Sequence, residues 1–170
     1  MDAPIFDLDT RCHQWQTPAT YTKPIPDTYR HWLFLPGSLT KALQQCSDAF
    51  SVQVLSEERF VTSQSIFGLA DQGEETEYFS RKVALKNHQT PWVMAHTLIP
   101  QSSLQQGLQE LTRLQSRPLG ELLFADPQVK KDNNQITLFD NIWGRRSRYW
   151  LQGLPLMVTE YFLPELIRQT

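Results

Sequence analysis

Cysteine is nearly absent from this chain. The two that occur, Cys12 and Cys46, lie far apart in 170 residues with no apolar leader ahead of them. A disulfide framework is therefore not expected, and reduced thiols in a cytoplasmic setting are. Histidine is scarce as well. The four present are scattered, and with two cysteines they offer no spacing suited to zinc. Neither sign of charge dominates: 16 basic residues against 18 acidic give a net charge of −2, which argues against a general nucleic-acid or polyanion role. No stretch approaches membrane-spanning length, and the first thirty residues hold no uninterrupted apolar run. What remains is ordinary, 40% hydrophobic and 20% charged, in a length that one domain fills with a sizeable core.

Turn chemistry and apolar spacing organise residues 1–170 as one domain. Pro4, Pro18, Pro24 and Pro26 mark residues 1–30 as an irregular lead-in. His31 to Leu35 is a short apolar segment closed by Pro36-Gly37, and Ser38 is placed to cap a helix running through Leu39, Ala42, Leu43 and Cys46. Val52 and Val54 alternate with polar residues as in a strand, with Phe60 to Phe67 as a candidate partner and Asp71 to Glu77 as a solvated connection. Two hairpins follow: Phe79–Lys86 with Trp92–Ile99 across residues 87–90, and Ser147–Leu151 with Pro155–Leu163 across Gln152-Gly153. Between them, leucines 104, 108, 111 and 114 form one stripe of a helix starting at Ser102 or Ser103. A shorter helix from Pro118 carries Leu119, Leu122, Leu123 and Phe124. The pattern predicts an α+β fold, a single antiparallel sheet with helices packed on one face.

Two charges break the apolar alternation of these strands. Arg81 shares a strand face with Phe79, Val83 and Leu85, and Glu160 shares one with Leu156, Val158 and Phe162. The other face of the first strand, with Ser80, Lys82 and Lys86, reads as the solvent side. A charge on a core face costs several kcal/mol unless it is paired. Opposite signs on such positions predict either a buried ion pair between the two or a cavity built for a polar ligand. In Arg145-Arg146-Ser147-Arg148, alternation sends Arg145 to one side and Arg146 with Arg148 to the other, so the three cannot share one site. Contacts to backbone carbonyls and acids are the expected use of most of them. Trp92, Trp143 and Trp150 read as core and rim packing. His88 and His96 read as a turn and a strand histidine with no partnered serine, cysteine or carboxylate at a recognisable spacing.

An ordered series of short blocks carries a family resemblance. Pro91-Trp92 with Thr97-Leu98-Ile99-Pro100, then Arg117-Pro118-Leu119-Gly120-Glu121-Leu122-Leu123-Phe124, then Trp143-Gly144-Arg145-Arg146-Ser147-Arg148, then Glu160-Tyr161-Phe162-Leu163-Pro164 resembles chorismate pyruvate-lyase over roughly residues 30–165. The resemblance implies the chorismate-lyase fold and a reaction that turns chorismate into 4-hydroxybenzoate and pyruvate. It implies four site residues: Arg81 holding a carboxylate, Glu160 facing the ring hydroxyl, Leu119 through its backbone amide, and Leu39 where the family usually has methionine. It further implies a cytoplasmic monomer with no cofactor, no metal and no nucleic-acid partner, feeding prenylquinone synthesis.

The residue types suit that chemistry. A guanidinium fork grips a carboxylate with parallel hydrogen bonds. A carboxylate in a poorly hydrated pocket can accept a hydroxyl and is suited to take or relay a departing proton. Losing enolpyruvate and a ring proton makes an aromatic product, so the protein's task is to recognise, orient and exclude water. A second reading is a non-catalytic small-molecule-sensing domain of the same fold, as in the effector halves of some transcription regulators. Such proteins carry a DNA-binding module ahead of the sensor, and only about thirty proline-rich residues precede the resemblance here.

Overall fold

Six strands build one antiparallel sheet: β1 (Phe50–Thr62), β2 (Thr76–Asn87), β3 (Thr90–Pro100), β4 (Lys130–Phe139), β5 (Ile142–Leu151) and β6 (Leu154–Phe162). They lie in the order β1-β2-β3-β6-β5-β4. The computed structural model describes residues 14–170. Cys12 and the lead-in before residue 14 lie outside the described residues. Local turn chemistry sets the sheet order. Asp140 and Asn141 (φ 48° and 62°) join β4 to β5, and Gln152 and Gly153 (φ 53° and 76°) join β5 to β6. Two consecutive left-handed residues give a turn whose twist matches that of the strands. The β2–β3 turn has His88 at φ 53°.

Among the described residues, four helices, α1 (Asp27–Leu33), α2 (Leu39–Cys46), α3 (Leu119–Ala125) and α4 (Pro164–Gln169), accompany a helical stretch over 101–113. The Ser38 hydroxyl caps α2 by accepting from the Lys41 amide at 3.2 Å. Two apolar clusters then cover one face of the sheet. Trp32, Leu33, Leu39, Leu43 and Leu166 pack over Val83, Leu85, Val93, Trp143 and Phe162. Leu104, Leu108, Leu111, Leu114 and Leu123 pack over Phe79, Ile99, Tyr149, Leu156 and Val158. Arg81 and Thr97 are paired across β2 and β3 between the two groups. The core face is therefore apolar at both ends and charged in the middle.

Several sequence expectations are corrected. The chain is already helical from Asp27, so the apolar segment after His31 completes α1. The strand at Val52 runs on to Thr62 with a bulge between Val54 and Ser56, so Phe60 belongs to β1 and β2 is its partner. The stripe of leucines is buried as expected, but Gly107 (φ 154°, ψ −12°) interrupts the helix, and the leucines reach the sheet through a π turn and a 3-10 turn. The face expected to meet solvent is also covered. Ser80 is only 4% exposed, and Trp15 and residues 66–70 pack on that side against Met94, Tyr161, Tyr78 and Leu98. The helices lie on one face; loops and the segment at Trp15 close the other.

Gly144 marks how closely β5 and β6 are packed. A Cβ there would lie 2.9 Å from Cδ1 of the fully buried Tyr161 and 3.2 Å from Thr137. Ring and strand leave little room to shift. Gly144→Ala should lower unfolding free energy by about 1–3 kcal/mol, measured by urea denaturation. An unchanged midpoint would mean that the sheet relaxes there freely.

Candidate active site

All four residues singled out from the sequence, Leu39, Arg81, Leu119 and Glu160, line one cavity at the junction of the two apolar clusters. Its floor is the sheet and its cover is the first turn of α2 with that of α3. Gly120 permits that cover: a Cβ on it would lie 2.6 Å from the Thr40 hydroxyl, so α3 can approach α2 only with glycine there. Arg81 and Glu160 do not pair with each other. Register places Arg81 opposite Thr97 and Thr97 opposite Val158, two residues before Glu160. Two strand spacings and one two-residue step set their Cα atoms roughly 12 Å apart. The two charges thus face one cavity from different sides.

Arg81 is 3% exposed. Its Nε donates to Glu57 on β1 at 3.3 Å, and one terminal nitrogen donates to the carbonyls of Gln115 and Arg117 at 2.5 and 3.3 Å. Burial draws its pKa below the ordinary arginine value, while the charge and hydrogen bond of Glu57 oppose that pull. The guanidinium is thereby fixed in direction before any ligand arrives.

Glu160 is matched by Arg145, the residue directly across from it on β5. Arg145 Nε donates to Glu160 Oε2, and Nη1 donates to the Trp32 carbonyl at 2.9 Å. Burial works against the charge of Arg145, but the Glu160 carboxylate outweighs it and holds the arginine above its ordinary pKa. Among the described residues no hydrogen bond is made to the second carboxylate oxygen of Glu160. Tyr149, also lining the cavity, is raised above the ordinary tyrosine range, first by burial and then by the negative charge of Glu160. One wall thus carries an anion locked by a cation beside a neutral phenol.

Arg145 is the principal residue that sequence reasoning left unplaced. Alternation separated it correctly from Arg146 and Arg148, but nothing local said which side held the site. The other two arginines are structural. Arg148 pairs with Asp132 through two hydrogen bonds of 2.9 and 3.0 Å and reaches the Gly68 carbonyl. Arg146 donates to Gln135 and lies between the rings of Trp15 and Phe67, 4.6 Å from each centroid. Trp92 and Trp143 are core residues, and Trp150 donates to Asp132 at the rim. His96 does have a partner, contrary to the sequence reading. Its Nε2 lies 2.8 Å from the Ser80 hydroxyl, with both buried on the sheet face opposite the cavity.

The molecule is an α+β protein with a single antiparallel sheet and a lidded cavity, a fixed guanidinium on one side of it and an arginine-locked carboxylate on the other. Comparison supplies the family. The chorismate lyase family model matches residues 11–170, and the chain belongs to that family. It is 35% identical over 160 residues to a "probable chorismate pyruvate-lyase" of Photobacterium profundum, covering 89% of this chain and 86% of that protein. It is 34% identical over 148 residues to the chorismate pyruvate-lyase of Pectobacterium carotovorum, covering 83% and 80%. Among solved structures, the ligand-binding domain of a Bordetella bronchiseptica protein assigned to the GntR family of transcriptional regulators aligns with TM-score 0.48 at 13% identity, over 70% of this chain and 87% of that one.

The Asp132–Arg148 pair predicts an acid-sensitive edge. The arginine hydrogen bond comes first among the causes that hold the Asp132 carboxyl below its ordinary pKa. A depressed folded value stabilises above the unfolded value of about 3.9, and that stability disappears as pH falls below it through the folded pKa. Asp132→Asn should therefore lower the melting temperature at pH 7 and shrink its decline as pH falls below about 4. A parallel decline in parent and variant would remove Asp132 from the account.

Proposed function

We propose that this chain is a chorismate lyase that eliminates pyruvate from chorismate to give 4-hydroxybenzoate. The observation that carries the reading is the cavity itself, in a member of this family. It presents a preset guanidinium to one end of an elongated acid and a carboxylate to the other. Arg81 takes the ring carboxylate, trading its loop carbonyls for the ligand. Glu160 accepts the ring hydroxyl through the oxygen that Arg145 does not occupy. Leu119 contributes its amide from the first turn of α3, where helix geometry provides no intrahelical partner for it, and Leu39 closes the wall.

The chemistry balances without oxidant or reductant. The ether bond between ring and side chain breaks with its electron pair going to the enolpyruvyl oxygen. The carbon bearing the hydroxyl loses its proton, and the released enolate takes a proton at its methylene carbon to become pyruvate. Holding the hydroxyl places Glu160 beside the carbon that is deprotonated, so the same carboxylate is suited to receive the proton. Apolar neighbours, with Val83, Leu123 and Val158 among the lining, strip water from the ring. The product suits a prenylquinone pathway in the cytoplasm. A non-catalytic sensing role is not favoured, since the named relatives are lyases.

Incubating the purified chain with chorismate should release 4-hydroxybenzoate and pyruvate in equal amounts. Substrate left intact would overturn the reading. Glu160→Gln keeps shape and removes the basic oxygen. If it serves as base, turnover should fall about 100-fold or more while product affinity changes less; equal losses in both would restrict it to positioning. Arg81→Ala should weaken 4-hydroxybenzoate binding by about 10- to 100-fold, the worth of a hydrogen bond to a charged group. Unchanged affinity would mean the carboxylate sits elsewhere.

A further inference from the structure

Chorismate carries two carboxylates, and the contacts assigned so far hold one of them. Arg81 is matched by Glu57 and takes the ring acid, and Arg145 is matched by Glu160. The carboxylate of the enolpyruvyl side chain still needs a cation.

A second cavity adjoins the first, with Arg145 common to both linings. The central cavity is the tighter of the two, with about 40 Å³ open to the centres of water molecules. The second leaves about 180 Å³. Lys131, from β4, lines the second cavity. Its strand partner is Tyr149, which lines the first, and its ammonium lies 5.9 Å from the centroid of that ring. Among the described residues Lys131 forms no ion pair. Other polar groups in this cavity are already bonded: Ser147 to Asn134 at 2.7 Å, and Gln135 to Arg146 at 2.8 Å.

Local electrostatics point the same way. Lys131 keeps an exposed stem, while protein packed around its ammonium and then the charge of Arg145 draw its pKa below the ordinary lysine value, with Glu160 opposing them. Lys131 and Arg145 against Glu160 leave one positive charge in excess on this wall. An arriving anion would relieve the repulsion between the two cations. Arg146 and Arg148 point to the far face and cannot supply this charge.

We infer that Lys131 and the cavity it shares with Arg145 form a subsite for the enolpyruvyl carboxylate, with the ring held in the central cavity. This rests on the lyase reading and makes Lys131 a specificity residue: it distinguishes the dianionic substrate from the monoanionic product and retains the leaving group until the ring is aromatic.

The test uses Lys131→Met, which keeps the stem that packs on Tyr149 and removes the charge. The KM for chorismate should rise about 10- to 100-fold, as expected for losing a hydrogen bond to a charged group. Affinity for 4-hydroxybenzoate, which lacks the second carboxylate, should stay within about twofold, and Lys131→Arg should recover most of the loss. If the parent turns over chorismate and Lys131→Met leaves KM unchanged, the subsite is wrong and the lyase reading stands. Proportional weakening of product and substrate would also overturn it, since that is what a structural role produces. A parent unable to convert chorismate would sink the lyase reading first, and the subsite with it.

Discussion

The ion pair between Arg145 and Glu160 is the interaction on which the arrangement of the cavity depends. Both charges stand on the buried face of the sheet, in neighbouring strands and directly opposite each other. Removing two charges from water is expensive, and their attraction compensates only when further hydrogen bonds satisfy what remains. Arg145 meets that condition through the Trp32 carbonyl and the ring of Phe162. Glu160 meets it on one oxygen only. The unfilled half of that requirement is what a ligand hydroxyl can complete. A buried pair of this kind adds little net stability, and apolar residues of similar size could serve the fold as well. The proposed role in ligand recognition would account for its presence.

The rest of the architecture follows from keeping that charged band dry. Two apolar clusters flank it, and both draw their covering side chains from segments outside the sheet. Leu39 and Leu43 come from α2, Leu123 comes from α3, and the leucines of 101–113 arrive through a helix broken at Gly107. The first turns of α2 and α3 meet over the gap, with Gly120 against Thr40 allowing the contact. On the opposite face, Arg146 and Arg148 bind β4 and the loop around Gly68 to β5. One tetrapeptide thus builds the site with its first residue and the scaffold with the others.

Much of this was legible in the sequence wherever a local rule governed the outcome. The Ser38 cap, the β2–β3 hairpin and the Gln152-Gly153 turn follow from residue chemistry within a few positions. Arg81 and Glu160 stood out because strand alternation makes an inward charge visible. What escaped depended on distant contacts. β4 opens with Lys130-Lys131-Asp132-Asn133-Asn134-Gln135, a polar run whose strand character comes from pairing with β5. Ser80 is polar yet buried because residues 66–70 fold over it. The partners of the two inward charges, Glu57 and Arg145, lie 24 and 15 residues away, and only the register of the sheet reveals them.

The central claim is that a guanidinium and a locked carboxylate fix the orientation of an aromatic acid between them. A crystal structure of the chain with bound 4-hydroxybenzoate tests it most directly. The account predicts the ring in the cavity between α2, α3 and the sheet, its carboxylate on Arg81 and its phenolic oxygen within hydrogen-bond distance of the free Glu160 oxygen. A reversed ring, or a ligand bound elsewhere with both charges still on their protein partners, would contradict it.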